Sequence, residues 1–362
     1  MHFRKIWLRY FFVKLFFLFF AFGVFARLTS LGDTSSYLNG PLTLGPQILY
    51  SSTAMMVFLG GLFKKIFLVD VLASIPFMIL SFYGVYYAVD RLNLYRYPKL
   101  VLLILCMPNF LIWTSVLSKE AVGCFFSGIL VVLVVRHIKG DCRFRWIDYV
   151  ALYLCFLFKP QYLLFIGQAI LFLKVAKWAA LTSAYTMLLG CLIIFLNLGL
   201  LYVFREQIDT LAQGMYIHFT YSDPDMALST RNPDPWLVKY GFFKEAPYGM
   251  FISFFGPTFH EMLSKPTHMI SGLESVFLLF LYAYMIAFRI IKVYKKRAFD
   301  PKIFISYIII FLGILFVHYP FGYLNPGSAI RYRENFYLLF SILLLCLHGY
   351  IPFTISNMQK NV

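Results

Sequence analysis

Long apolar runs alternate with short polar connections along nearly the whole chain. A helix that crosses the hydrocarbon core of a membrane needs about 20 mostly apolar residues, and ten runs approach or meet this length. The predicted spans are Tyr10–Ala26, Ile66–Val89, Leu100–Leu117, Ala121–Val135, Ile147–Phe158, Tyr162–Leu173, Ala179–Phe204, Ile270–Ile290, Ile303–Val317 and Phe336–Ile355. A further apolar stretch, Ile48–Phe63, ends in Lys64-Lys65 and predicts a re-entrant or interfacial segment. The pattern therefore predicts an all-α polytopic membrane protein with about 10 transmembrane helices.

The composition excludes other classes of protein. Hydrophobic residues make up 61% of the chain and charged residues 13%, whereas soluble domains are about 45–50% apolar and about 25% charged. Aromatic residues reach 20%, which excludes intrinsic disorder because disordered chains are poor in aromatics. The apolar runs are continuous, whereas the strands of a transmembrane barrel alternate between apolar and polar residues. Residues 1–362 are accordingly interpreted as a single integral membrane domain.

The charged residues predict the orientation of the chain. Lysine and arginine collect in cytoplasmic loops, and their density is highest in the short connections on the side of the N-terminus, including the run Lys292–Arg297. We expect both termini in the cytoplasm and an uncleaved first span. The net charge of +16 is thus attributed to topology and not to nucleic-acid binding. Most acidic residues fall on the other side, in outer loops at 27–65, 205–269 and 319–335.

Asp33, Lys119 and Glu120 are the first candidates for chemistry. Asp33 follows the first span and is a candidate general base, although Asp before Thr-Ser-Ser is also a good helix cap. Lys119 and Glu120 stand between two apolar runs with almost no loop, where charges are costly unless they are paired or functional. If Ser118 caps a helix, Glu120 stands at its N-terminus, where the helix dipole favours an anion. The same position is unfavourable for the cation of Lys119, which this interpretation does not explain.

Lys119 and three further cations are candidates for binding a diphosphate. Lys159 precedes Pro160, which breaks or kinks a helix, so that this lysine either faces an anionic ligand or extends to the membrane interface. Arg331 and Arg333 stand in the sequence RYREN on the outer side, where the positive-inside rule disfavours them. A planar guanidinium matches phosphate oxygens in a bidentate way. The alternatives are an ion pair with Glu334 or contact with lipid headgroups.

The long loop supplies candidates for binding a glycan: Arg231, Trp236, His260 and Glu261. Sugar-binding surfaces combine aromatic faces with polar groups, although proline and aspartate in loops also serve turns. The spacing of His260, Glu261 and His268 does not match a His-Glu-x-x-His motif, and no Cys pattern indicates zinc. No metal site is predicted.

The arrangement of these motifs resembles bacterial O-antigen and capsular polysaccharide polymerases, which are similar to C-type multispanning glycosyltransferases. The resemblance rests on the short motifs GDTSSY, WTSVLSKEA, KPQ, FFGPTFHE with GLES, and RYREN. It implies polymerisation of undecaprenyl-diphosphate-linked oligosaccharide repeat units at the outer face of the bacterial inner membrane. It further implies that Arg331 and Arg333 hold the diphosphate and that Asp33 is the acidic residue of the first loop. This chain departs from the family pattern because no double-acidic pair follows the first span.

Three other functions stay open at this point. A C-type transferase that uses a polyprenyl-phosphate sugar donor would depend more on Asp33 and on Mg²⁺ or Mn²⁺, whereas the polymerase needs no cofactor. A flippase or transporter of lipid-linked sugars would place its cations along a central cavity, and no inverted repeat supports one. An acyltransferase is a weaker fourth alternative. The expected partners are the lipid-linked oligosaccharide and the bilayer, with a chain-length regulator and a flippase as further candidates.

Overall fold

The computed structural model describes residues 2–221, 231, 234–296 and 299–351, and all regular secondary structure in these ranges is helical. The all-α character of the predicted fold is therefore confirmed. Parts of three predicted features lie outside the described residues. They are residues 222–230 of the long loop, Arg297 of the basic run, and the last predicted span beyond Ile351.

The helices follow one another with short connections. The first half of the chain contains α1 (His2–Phe20), α2 (Ala26–Leu28), α3 (Thr34–Leu38), α4 (Ser52–Phe67), α5 (Asp70–Arg91), α6 (Pro98–Leu105), α7 (Pro108–Trp113), α8 (Lys119–Ile138) and α9 (Trp146–Phe158). The second half contains α10 (Pro160–Trp178), α11 (Ser183–Val203), α12 (Arg205–Tyr221), α13 (Gly241–Phe255), α14 (Phe259–Ser264), α15 (Pro266–Lys296), α16 (Pro301–Leu324) and α17 (Pro326–His348). A π-helical turn, Ala21–Phe25, joins α1 to α2.

Six helical segments within the described ranges are long and apolar enough to cross a membrane. They are Ile6–Leu28, Asp70–Arg91, Lys119–Ile138, Ser183–Val203, Pro266–Tyr294 and Pro301–Leu324. The chain is therefore compatible with a multi-pass membrane protein, but the expected count of about ten is not confirmed.

Local sequence explains why some predicted spans are interrupted or too short. The third, Leu100–Leu117, is divided into α6 and α7 because Pro108 begins a new helix. The fifth corresponds to α9, which has 13 residues and is therefore about 20 Å long, less than the roughly 30 Å of a hydrocarbon core. The tenth, Phe336–Ile355, corresponds to the second half of α17, which ends at His348 because Gly349 adopts a left-handed conformation and terminates the helix.

Helix α8 forms the centre of the bundle. It packs against α5, α9 and α17, and every residue from Glu120 to Ile138 is buried. Two glycines allow the close approach to α5, because a Cβ on Gly84 or Gly128 would stand within 2.5 Å of backbone atoms of the opposite helix. Helix α11 is different, since large apolar residues such as Leu192 and Phe195 are exposed along it. Exposed apolar side chains on a long apolar helix are typical of a lipid-facing surface.

The three segments expected as outer loops are mostly helical. Residues 319–335 consist of the end of α16 and the start of α17, with Asn325 as the single connecting residue. Residues 205–269 include α12, α13 and α14, and α13 packs against α16 and α17. The expected re-entrant or interfacial segment Ile48–Phe63 overlaps α4, whose first turn is capped by Ser51. Its position relative to a membrane stays a prediction.

Candidate functional site

Arg331 connects two distant carboxylates at one end of the bundle. Its Nη2 donates a hydrogen bond of 2.5 Å to Oδ2 of Asp33, and its Nε donates one of 3.1 Å to Oε1 of Glu120. The arginine and Glu120 side chains are 11% and 0% exposed, whereas the Asp33 side chain is 50% exposed. The predicted ion pair with Glu334 is therefore not formed by Arg331. This pairing brings together residues from the α2–α3 connection, α8 and α17.

Asp33 is held at the start of α3 by its neighbours. The Tyr37 hydroxyl donates to Oδ2 of Asp33 at 3.1 Å, and the Thr34 hydroxyl donates to the carbonyl oxygen of Leu117 at 3.0 Å. Partial burial raises the pKa of Asp33, but the charge of Arg331 and the hydrogen bonds from Arg331 and Tyr37 outweigh it and hold the pKa below its ordinary value. The Asp33 side chain makes no cap hydrogen bond to α3, so its side chain is available for the ion pair.

Lys119 and Glu120 enter the same site through the start of α8. The Ser118 hydroxyl accepts a hydrogen bond from the Ala121 amide, as the capping interpretation expected, and donates to the carbonyl oxygen of Trp113 at 2.7 Å. Lys119 Nζ donates to Oγ1 of Thr53 at 2.8 Å. Oε2 of Glu120 is buried and has no hydrogen-bond partner in the described part of the chain. The cap therefore fixes the turn that places both charged side chains.

Lys159 lies at the tip of the hairpin formed by α9 and α10. Pro160 begins α10, which forces the break that the sequence predicted. The ammonium group lies 4.7 Å from the ring centroid of Tyr332 and 5.8 Å from that of Tyr162. Within residues 2–221, 231, 234–296 and 299–351 it forms no hydrogen bond or ion pair, but it interacts electrostatically with Glu120 and Arg331.

Five candidates therefore converge, and we call them the Arg331 cluster. Its members are Asp33, Lys119, Glu120, Lys159 and Arg331. Three cations face two carboxylates, so that the formal charge of the cluster is +1. A surplus of positive charge beside a solvent-accessible carboxylate is suited to an anionic ligand.

Arg333 belongs to a separate site and is not available beside Arg331. Its Nη2 donates to Oε1 of Glu274 at 2.6 Å and its Nε to Oε1 of Glu334 at 3.1 Å. All three side chains are at most 1% exposed. Residues two apart on a helix point to different faces, which is why Arg331 and Arg333 do not act on one ligand. The ion pair with Glu334, proposed as an alternative from the sequence, is thus formed by Arg333.

The four candidates for glycan binding lie apart from the Arg331 cluster. Arg231 forms a bidentate ion pair with Glu261 at 2.6 and 2.8 Å, and Glu261 also accepts from the Thr258 amide as part of a capping box. Partial burial raises the pKa of Glu261, but the hydrogen bond and charge of Arg231 lower it below its ordinary value. Trp236 is fully buried and stacks on Tyr323, so its ring offers no accessible face for a sugar. His260 is exposed.

A cavity of about 220 Å³ opens beside Arg331, and we call it the Arg331 cavity. It lies between the connection after α2, the end of α7, and the first turns of α15 and α17. The lining residues that bear on its chemistry are Thr29, Trp113, Lys265, His268, Ser328 and Arg331. Gly32 also lines it with φ +59°, and a Cβ there would stand 2.2 Å from Nη1 of Arg331. Glycine is therefore required for the guanidinium to reach Asp33.

No group of three His, Cys, Asp or Glu side chains is placed to hold a metal ion, as far as the described residues extend. In the Arg331 cluster both carboxylates are already engaged by a guanidinium. Mg²⁺ and Mn²⁺ prefer oxygen ligands such as carboxylates, and a metal there would compete with Arg331 for Oδ2 of Asp33 and Oε1 of Glu120.

Sequence reasoning missed several residues that the structure brings to this end of the bundle. Lys14 is fully buried in the first span and donates to the carbonyl oxygen and to Oγ1 of Thr114 at 3.1 and 2.7 Å. The sequence did contain a signal for Lys14, because it stands inside an apolar run and an ionisable residue within a membrane helix is costly. Trp113 and Lys265 carried no comparable signal, since their importance depends on which helices meet.

The comparisons with known proteins add no relationship. No protein-family model, no curated protein and no solved structure matches the chain.

Proposed function

We propose that this protein polymerises polyprenyl-diphosphate-linked oligosaccharide repeat units at the outer face of the bacterial inner membrane. The observation that carries the proposal is the Arg331 cluster. In it Arg331 joins Asp33 and Glu120, and the ammonium group of Lys159 has no hydrogen-bond partner among the described residues. It lies in a bundle with six apolar helices long enough to cross a membrane. This combination fits a substrate that has a lipid chain and an anionic headgroup.

The cations are suited to the departure of a diphosphate. In the transfer, the acceptor hydroxyl forms a bond to the anomeric carbon of the donor sugar, and the bond from that carbon to the diphosphate oxygen breaks. Negative charge then grows on the leaving diphosphate, and positioned cations stabilise it. Arg331 offers a planar fork, and Lys119 and Lys159 offer two compact charges near it. Arg333 has no part in this step because it is buried with Glu274 and Glu334.

Asp33 is the group placed to accept the proton of the acceptor hydroxyl. Of the two carboxylates in the Arg331 cluster, Asp33 is the accessible one. Its side chain is 50% exposed, whereas that of Glu120 is 0% exposed. Arg331 keeps the pKa of Asp33 low in the free protein. When an anionic diphosphate shares the guanidinium, this stabilisation of the carboxylate weakens, and Asp33 becomes a stronger base. Glu120 acts as a positioning residue, because its buried carboxylate accepts a hydrogen bond from Nε of Arg331 and so orients the guanidinium.

The test is the polysaccharide pattern of a bacterial strain that lacks the protein. Complementation with the wild type should restore a ladder of polymer lengths, whereas R331A should give a core that carries a single repeat unit. R27A is the matched control, because Arg27 is an exposed basic residue close to the same site. Both variants must be present in the membrane at wild-type amount, which is measured by immunoblotting of membrane fractions.

Other outcomes distinguish the alternatives. If the deletion strain lacks even the single repeat unit, the protein completes or exports that unit, as a polyprenyl-phosphate-dependent transferase or a flippase would. An unchanged ladder in the deletion strain would refute the polysaccharide proposal. A full ladder with R331A would remove the Arg331 cluster from the mechanism.

A further inference from the structure

The Arg331 cavity is rich in donors and contains no carboxylate among its lining residues. Arg331 and Lys265 bring two positive charges, and His268 brings an imidazole ring. Lys265 is exposed and forms no ion pair with any described residue. A cavity with this lining is suited to a ligand that carries negative charge.

Trp113 gives the cavity an aromatic surface. Its side chain is 6% exposed and lines the cavity, whereas its indole Nε1 is itself buried and not offered to a ligand. The guanidinium carbon of Arg331 lies 5.8 Å from the centroid of the Trp113 ring. The cavity therefore combines an aromatic ring with a positive charge, and an amphipathic ligand such as a sugar ring can contact both.

The size and the hydroxyl groups of the cavity favour one sugar ring over a bare phosphate. The volume of about 220 Å³ is below the roughly 300–1,000 Å³ of sites for drug-sized ligands and suits a single sugar ring. Thr29, Ser30 and Ser328 line the cavity, and hydroxyl groups both donate and accept. The oxygens of a phosphate are mainly acceptors, whereas the hydroxyl groups around a sugar ring both donate and accept.

We propose that the Arg331 cavity binds the carboxylate-bearing sugar of an acidic glycan, a hexuronate or a residue of similar chemistry. Lys265 pairs with the carboxylate, and the Trp113 ring and the hydroxyl-bearing side chains contact the sugar ring. Because the Arg331 cavity lies next to the Arg331 cluster, we assign this sugar to the repeat unit. Only this assignment to the repeat unit rests on the proposed function. Lys265 is then the residue that sets specificity for a charged over a neutral sugar.

The test measures binding directly and does not depend on polymer formation. The full-length protein in detergent micelles is titrated with glucuronate, with glucose and with inorganic phosphate, and binding is followed by saturation-transfer NMR. We expect glucuronate to bind at least about tenfold more tightly than glucose, because a hydrogen bond to a charged group contributes more to binding than one between neutral groups. K265Q should remove most of this preference while leaving glucose binding unchanged. K244Q is the matched control, since Lys244 is exposed on α13 and does not line the cavity.

Four results would overturn the proposal. Equal affinities for glucuronate and glucose, or an unchanged preference in K265Q, would show that the cavity does not recognise the carboxylate. Binding of phosphate without glucuronate would assign the site to a lipid headgroup or free phosphate. Absence of binding by all three probes would remove the cavity as a sugar site. A strain with an unchanged polysaccharide ladder would refute the polymerase and leave the binding of glucuronate as a separate result.

Discussion

Arg331 and Asp33 are separated by 298 positions in the chain, yet Nη2 of the arginine donates a hydrogen bond of 2.5 Å to Oδ2 of the aspartate. The pair joins the connection after the first span to the last described helix, and Glu120 of the central helix completes it at 3.1 Å. Because the Asp33 side chain is half exposed while Glu120 is buried, an incoming anion can compete for the guanidinium from the Asp33 side only. The ion pair is therefore a structural contact and also the place where an anionic ligand would reach Arg331.

Asp33→Asn should separate activity from stability. Exposed ion pairs contribute only about 0–1 kcal/mol to folding, so the thermal midpoint of the purified protein should change little. Loss of a general base lowers a rate by about 10²–10⁴-fold, so the initial rate of glycan extension should fall by at least two orders of magnitude. Asp90→Asn is the control, because Asp90 forms no ion pair with a described residue. A variant that keeps its rate would exclude Asp33 as the base.

Gly32→Ala should disturb Arg331 without touching a charge. The residue has φ +59°, and a Cβ would stand 2.2 Å from Nη1 of Arg331, so the guanidinium must move away from Asp33. We expect the rate of extension to fall at least tenfold with normal amounts of protein in the membrane. Gly45→Ala is the matched control, since no atom lies within 4 Å of its added Cβ. Equal rates for the two variants would contradict this role of Gly32.

Arg333→Met should damage the fold and not only the activity. Removal of one partner from a buried charge pair costs about 3–5 kcal/mol, and here two carboxylates, Glu274 and Glu334, would stay without their cation. The yield of monodisperse protein in size-exclusion chromatography should collapse. Addition of Glu274→Gln and Glu334→Gln to the same chain should recover part of that yield, because the neutral side chains need no cation. Full yield from Arg333→Met alone would show that the triad does not hold the helices together.

Lys14→Met should lower activity at unchanged or higher stability. Lys14 is fully buried and its ammonium bonds only to Thr114 within the described ranges, so an apolar residue of similar size avoids the cost of the desolvated charge. Thr114 then loses one of the contacts that hold the segment between α7 and α8, on which Lys119 and Glu120 depend for their position. We expect a slower extension rate without a lower thermal midpoint. Leu8→Met, at an exposed apolar position, should change neither quantity.

The ion pair of Arg231 and Glu261 predicts a dependence of stability on pH. The folded protein holds the pKa of Glu261 below its ordinary value of 4.5. The stability from this ionised carboxylate is therefore complete above about pH 4.5 and is lost as the pH falls through the lowered pKa. As the pH falls below about 4.5, the thermal midpoint of the wild type should therefore decrease more than that of Glu261→Gln. Equal decreases in the two proteins would refute the assignment, and Glu206→Gln should behave as the wild type.

The sequence predicted the Arg331 cluster mainly because Lys119, Lys159 and Arg331 broke local rules, whereas Asp33 and Glu120 also had explanations as residues at helix starts. Asp33, Lys119, Glu120, Lys159 and Arg331 are charged residues beside or within apolar runs, where an unpaired charge is costly. The cap at Ser118 and the helix break at Pro160 were also readable, since capping and the missing amide of proline are local effects. All-helical secondary structure followed from the length of the apolar runs.

The sequence by itself determined an all-α chain suited to a membrane and the set of charges that needed partners. Only the tertiary structure decided which charges meet, because pairing depends on helix packing between segments hundreds of residues apart. It placed Arg331 with Asp33 and Glu120, and it buried Arg333, two positions further, with Glu274 and Glu334. Helical periodicity turns these neighbours to different faces, and the local spacing of charges in RYREN contains no information about which partner each face will find.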